Sequence, residues 1–151
     1  MTRSSRSTCA LACALLFAAC GDPDSDTGPA ASVEGTITYE GTTVGDLQIA
    51  VFSSFPPRGE PVTVVRIERP VFPYHYNLDR LPPGRYYVLA MIDADPSDGD
   101  NFRPTRDPGG AVGGYVSPQS VTVSFSEPIA RGDIELRAPS ADSPYVTRGY
   151  R

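Results

Sequence analysis

Leu81-Pro82-Pro83-Gly84-Arg85-Tyr86-Tyr87-Val88-Leu89-Ala90-Met91-Ile92 is the stretch from which the rest of the chain can be read. The prolines and glycine make a turn, and Tyr86 to Ile92 then runs without a polar break in residues that favour strands. Apolar side chains on both faces predict a strand in the middle of its sheet. The run ends at once in Asp93-Ala94-Asp95-Pro96-Ser97-Asp98-Gly99-Asp100-Asn101, with Asp107 shortly after. A central strand that stops in a group of carboxylates sets both expectations: a β fold, and a polar site at the strand's end.

Outward from this stretch the same two-residue alternation recurs. Val33, Gly35, Ile37 and Tyr39 share one face of a first predicted strand, with Glu34, Thr36 and Thr38 opposite. Leu47, Ile49 and Val51 repeat the pattern. Val62 to Arg69 makes a third strand between prolines, and Tyr74, Tyr76 and Leu78 a short fourth. Past the acidic stretch, Val121, Val123 and Phe125 predict a sixth strand, and Ile134 with Leu136 a seventh. No segment carries an apolar stripe at helical spacing. The chain is therefore expected to be all-β, a seven-stranded antiparallel β-sandwich over residues 33–137. Ile37, Ile49, Val51, Val88, Ala90, Val123 and Leu136 are expected in its core. Residues 138–151 lack periodicity and are expected to form a disordered C-terminal tail.

Val33-Glu34-Gly35-Thr36-Ile37, Leu81-Pro82-Pro83-Gly84-Arg85-Tyr86, Val121-Thr122-Val123 and Ile134-Glu135-Leu136 together resemble carboxypeptidase regulatory-like domains. The resemblance implies a transthyretin-like, immunoglobulin-like sandwich that serves as an accessory or binding module without catalysis. Leu-x-Pro-Gly-x-Tyr is its most specific part. Fibronectin type III domains use a related phrase but carry a buried tryptophan, and this chain has none.

Composition narrows the function classes. All 13 basic residues are arginine against 18 acidic ones, giving a net charge of -5 and no basic stripe for nucleic acid. The 16 prolines and 14 glycines favour short strands and turns. Cys9, Cys13 and Cys20 all lie at the front, so no disulfide framework or Cys/His zinc site is available downstream. Arg3 and Arg6 precede an apolar run from Cys9 to Ala19, the pattern of a secretion signal over residues 1–19. Leu16-Phe17-Ala18-Ala19-Cys20 resembles a bacterial lipobox, with Phe17 where leucine is usual. That resemblance implies a diacylglycerol on Cys20, the membrane as partner, and an outer-membrane or cell-surface lipoprotein. An ordinary cleaved signal is the alternative. Residues 20–32, with Asp22, Asp24 and Asp26 and little apolar surface, are expected to be a flexible tether.

Four sites invite a chemical reading. Asp93, Asp95, Asp98, Asp100 and Asp107 supply the short oxygen ligands that calcium takes in sets of about six to eight. The spacing is similar to an EF-hand loop, but glycine falls one place late and no glutamate closes it. A solvated acidic turn is the other reading. His75, the single histidine, lies between Tyr74 and Tyr76 and is the only candidate base for a hydrolase. Transthyretin-like hydrolases of urate catabolism use several histidines and end in Tyr-Arg-Gly-Ser, which this chain does not. Tyr74, Tyr76, Tyr86, Tyr87 and Tyr115 are candidates for the floor of a protein- or glycan-binding groove. Pro108-Gly109-Gly110-Ala111-Val112-Gly113-Gly114 looks like a phosphate cradle but precedes no helix, so a flexible flank is expected. A partner strand added to a free sheet edge is the remaining mode of action.

Overall fold

The central strand is β5, Gly84–Asp93, the longest of nine strands in a computed structural model that describes residues 31–98 and 102–140. Tyr86, Val88, Ala90 and Ile92 alternate into the core, while Tyr87, Leu89 and Met91 are half-buried on the other face. β2, Asp46–Phe52, lies antiparallel along one side of β5. The other side is shared by β7, Val121–Val123, beside its start and β6, Gly109–Ala111, beside its end. β3, Thr63–Ile67, pairs antiparallel with β2 and ends the sheet.

The second sheet is built on β1, Ala31–Tyr39. β4, Tyr74–Leu81, runs antiparallel along one edge of it. Along the other edge β8, Ile129–Arg131, and β9, Ile134–Leu136, follow one another, both parallel to β1. The inner faces of the two sheets supply the core. Val33, Ile37, Tyr76 and Leu78 come from the β1 sheet, and Leu47, Ile49, Val51, Val88, Ala90 and Ile92 from the β5 sheet. Val121, Val123, Ile134 and Leu136 fill the space between. A valine or isoleucine buried this fully contributes about 1.5–3 kcal/mol. All seven residues expected in the core are there.

Several expectations are corrected. The described residues hold nine strands where seven were expected, and the sheets are not purely antiparallel, because β1 pairs in parallel with β8 and β9. Ala31 and Ser32, assigned to the tether, are buried in β1. The sixth predicted strand stops at Val123, and Phe125 beyond it is 62% exposed. The first half of the glycine-rich flank, Gly109–Ala111, is the buried strand β6, and only Gly113 and Gly114 beyond it are exposed in a turn. Glycine is needed in β6 for contact: a side-chain carbon at Gly110 would stand 2.4 Å from the Glu135 carbonyl oxygen.

That approach of β6 to β9 closes one seam between the sheets. Gly109 and Arg137 exchange backbone hydrogen bonds of 3.1 and 3.0 Å, and so tie the end of the β1 sheet to the edge of the β5 sheet. The opposite side has no such tie among the described residues. Its edges are β3 and β4, connected through residues 68–73, from which Phe72 packs against the core beside Tyr39. Among the described residues the sandwich is tied by backbone bonds on one side, and by side-chain packing alone on the other.

Candidate functional site

Asp93, Asp95 and Asp107 act as internal staples. Asp93, 3% exposed, closes β5 with its carboxylate turned to Gln48 at 3.5 Å and to Arg66 of β3 at 3.3 Å. Its other oxygen accepts the Asp95 amide at 3.1 Å. Asp107, 4% exposed, accepts the Ala94 amide through one oxygen at 3.2 Å and the Arg103 amide through the other at 2.6 Å. It thereby holds the two ends of the excursion from β5 to β6. Asp95 caps the 3-10 turn Pro96–Asp98, accepting from the Ser97 amide and hydroxyl and from Arg106 at 2.6 Å. The Ser97 hydroxyl, followed by Arg106, holds the Asp95 carboxyl down to about 2.

The expected calcium ligands are thus not gathered around a common point as far as they are described. No group of three or more His, Cys, Asp or Glu side chains at metal-binding distance occurs among the described residues. Asp100 and the side chain of Asp98 lie outside them. A cation at this loop would compete with protein donors for the oxygens of Asp93, Asp95 and Asp107. Sequence reasoning gave the position of these carboxylates but missed their donors, since Arg66 and Gln48 come from other strands.

His75 stands on the outer face of the β1 sheet in an open cleft of about 490 Å³, lined also by Glu34, Thr36, Arg131 and Asp133. The cleft forms where β8 breaks from β9. At the break Gly132 donates its amide to Glu34, and the Asp133 carboxylate takes the Thr36 amide at 2.8 Å, in place of a backbone acceptor. Gly35 is required opposite, because a side-chain carbon there would stand 2.1 Å from the Gly132 carbonyl oxygen. His75 Nδ1 lies 3.1 Å from the Thr36 hydroxyl, but Asp133 spends the described bond on the Thr36 backbone. Base, hydroxyl and acid are neighbours here without forming a relay through the imidazole. Glu34 and Arg131 pair at 3.0 Å across the rim.

Of the tyrosines expected to floor a groove, Tyr74, Tyr76 and Tyr86 pack in or against the core, whereas Tyr87 is half-buried on the other face of β5 beside Phe55. Tyr76 is 5% exposed and donates its hydroxyl to the Gly132 carbonyl, and burial, with help from the Asp133 charge, pushes its phenol up. Tyr74 packs half-buried against the core. Tyr86 donates to the Pro82 carbonyl at 2.7 Å, fastening the turn into β5. Tyr115 and Phe102 cover Gly109.

The feature that sequence reasoning only named as a possibility is the free edge. β3 has β2 on one side and no strand on the other among the described residues. Val64 on its outer face is 48% exposed and Val65 on its inner face 38%, with Val62 just before the strand at 46%. β4, the other open edge, shows solvent His75, Asn77, Asp79 and Arg80, and a register shift against β1 interrupts its pairing near Leu81. Charges and irregular pairing are what keep a sheet edge unpartnered. β4 has both, whereas β3 has one charge, Arg66, already tied to Asp93.

No protein-family model, curated protein or solved structure gives a significant match to this chain. No helix among the described residues is long and apolar enough to cross a membrane. Cys20 lies outside the described residues.

Proposed function

We propose that the chain is a non-catalytic, membrane-anchored lipoprotein whose β-sandwich, of the carboxypeptidase regulatory-like type, engages a protein through the β3 edge. The observation that carries this reading is the contrast between the two open edges: β4 is polar and irregular, while β3 exposes Val64 and Val65 on opposite faces. A partner strand laid along β3 satisfies its outward backbone groups and covers valines on both sides. The family assignment is supported by the two-sheet architecture and by the Pro82–Tyr86 corner that fastens the start of β5. The anchor is supported by the signal and lipobox pattern ending in Cys20. The hydrolase reading has the His75–Thr36 contact in its favour but no acid on the imidazole in the described geometry.

A photo-reactive amino acid placed at Val64 tests the edge in cells. Irradiation should yield a discrete protein adduct from Val64 and none from Ile129, which is 56% exposed on β8. Equal labelling from both positions, or none from Val64, removes the edge from the account.

A further inference from the structure

We infer that the strand added to β3 is β3 of a second copy of this chain, paired antiparallel about Val65, so that two sandwiches share one continuous sheet. The inference rests on the reading of β3 as a docking edge and identifies its occupant. Strand self-pairing through a two-fold axis sets a segment against its own reversal, and Thr63-Val64-Val65-Arg66-Ile67 has an apolar residue at the centre of that pairing. With Val65 on the axis, each Val65 faces its own copy on the inner side. Val64 then lies opposite Arg66 on the outer side, and Thr63 opposite Ile67.

No like charges meet in this register, which is where edge pairings are penalised most. Arg66 is the only charge in the strand, and Asp93 of its own chain already balances it at 3.3 Å. The arginine head is thus drawn across β2 toward β5, away from the shared edge, and brings no uncompensated charge to it. Extending the pairing by one residue sets Val62 against Glu68, and the prolines at 61 and 70 then limit its length. The inner face adds a second contribution. Val65 belongs to the inner face yet stays 38% exposed on the strand that ends its sheet. A second Val65 across the axis covers that exposed surface. β4 cannot serve in the same way, since His75, Asn77 and Asp79 line its outer face with polar groups and its pairing is irregular at Leu81.

The test is sedimentation of the purified full chain in density-matched detergent, with cysteine cross-linking beside it. Wild type should sediment as a species of twice its own single-chain mass, and Val65→Lys, which puts two ammonium groups together at the axis, as a single chain. In a background with Cys9, Cys13 and Cys20 replaced by serine, Val65→Cys should oxidise to a covalent dimer. Residues directly opposite on paired strands lie about 4.5–5.5 Å apart at Cβ, near the separation that a disulfide spans. Val71→Cys, at an 80% exposed position off the strand, should stay monomeric. A monomeric wild type, a dimer that Val65→Lys leaves intact, or equal cross-linking at Val65 and Val71 each overturns self-pairing. A monomer whose Val64 still photo-labels a different protein overturns self-pairing alone and leaves β3 as the docking edge.

Discussion

Asp95 shows how much of the loop chemistry depends on single side chains. Its carboxyl is held down from 3.8 to about 2, first by the Ser97 hydroxyl and then by Arg106. Because the folded value lies below the unfolded one, this group stabilises the fold at pH values above about 4 and loses that contribution as the pH falls toward 2. The gain is small, since the carboxylate and Arg106 are both solvent-screened. Denaturant melts of wild type and Asp95→Asn should therefore differ by a near-constant small margin above about pH 4 and converge as the pH falls below about 2. A difference that does not shrink between pH 4 and pH 2 would show that Asn perturbs the turn for another reason. Tyr76 works oppositely, as a buried neutral donor that pins Gly132 at the break between β8 and β9.

Among the elements, the excursion from β5 to β6 depends most on one residue. Asp107 satisfies one backbone amide at its start, Ala94, and one within it, Arg103, from a buried position. Asp107→Ala leaves both amides without that acceptor and should cost about 1–3 kcal/mol for each one kept from water. Asp107→Asn retains one carbonyl oxygen and should lose roughly half as much in urea unfolding. Equal losses would mean that the carboxylate acts through charge alone. The strands whose alternation is regular, β1, β2 and β5, were legible in the sequence because one face of each is buried. β6 and β8 were not. Gly109 and Gly110 carry no side-chain pattern, and the reason for them is the backbone of Glu135 on another sheet. β8 exposes Ile129 and Arg131 and buries neither. The acidic residues were legible as a group, but their partners Gln48 and Arg66 are set by strand register, which the loop sequence does not encode. Parallel pairing of β1 was equally hidden, since alternation is the same for either direction.

At the scale of the whole molecule, the proposed lipid anchor at Cys20 precedes a sandwich tied along one seam. Replacing Cys20 with serine should move the protein from the membrane fraction to the soluble one after the cells are broken, and an unchanged distribution would remove the anchor. The free edge should hold its partner with or without that anchor, because β3 makes its contacts through the folded unit. Amide hydrogen exchange on the full chain tests this directly, since it reads the protection of every strand at once. Slowest exchange is expected in Leu47–Phe52 and Tyr86–Ile92, with Gly109–Ala111 and Ile134–Leu136 protected by the closed seam. Thr63–Ile67 should exchange markedly more slowly in wild type than in Val65→Lys, whose other strands should be unchanged because the substitution lies at an exposed edge. Equal and rapid exchange of Thr63–Ile67 in both proteins would mean that the β3 edge docks nothing, and would contradict the account.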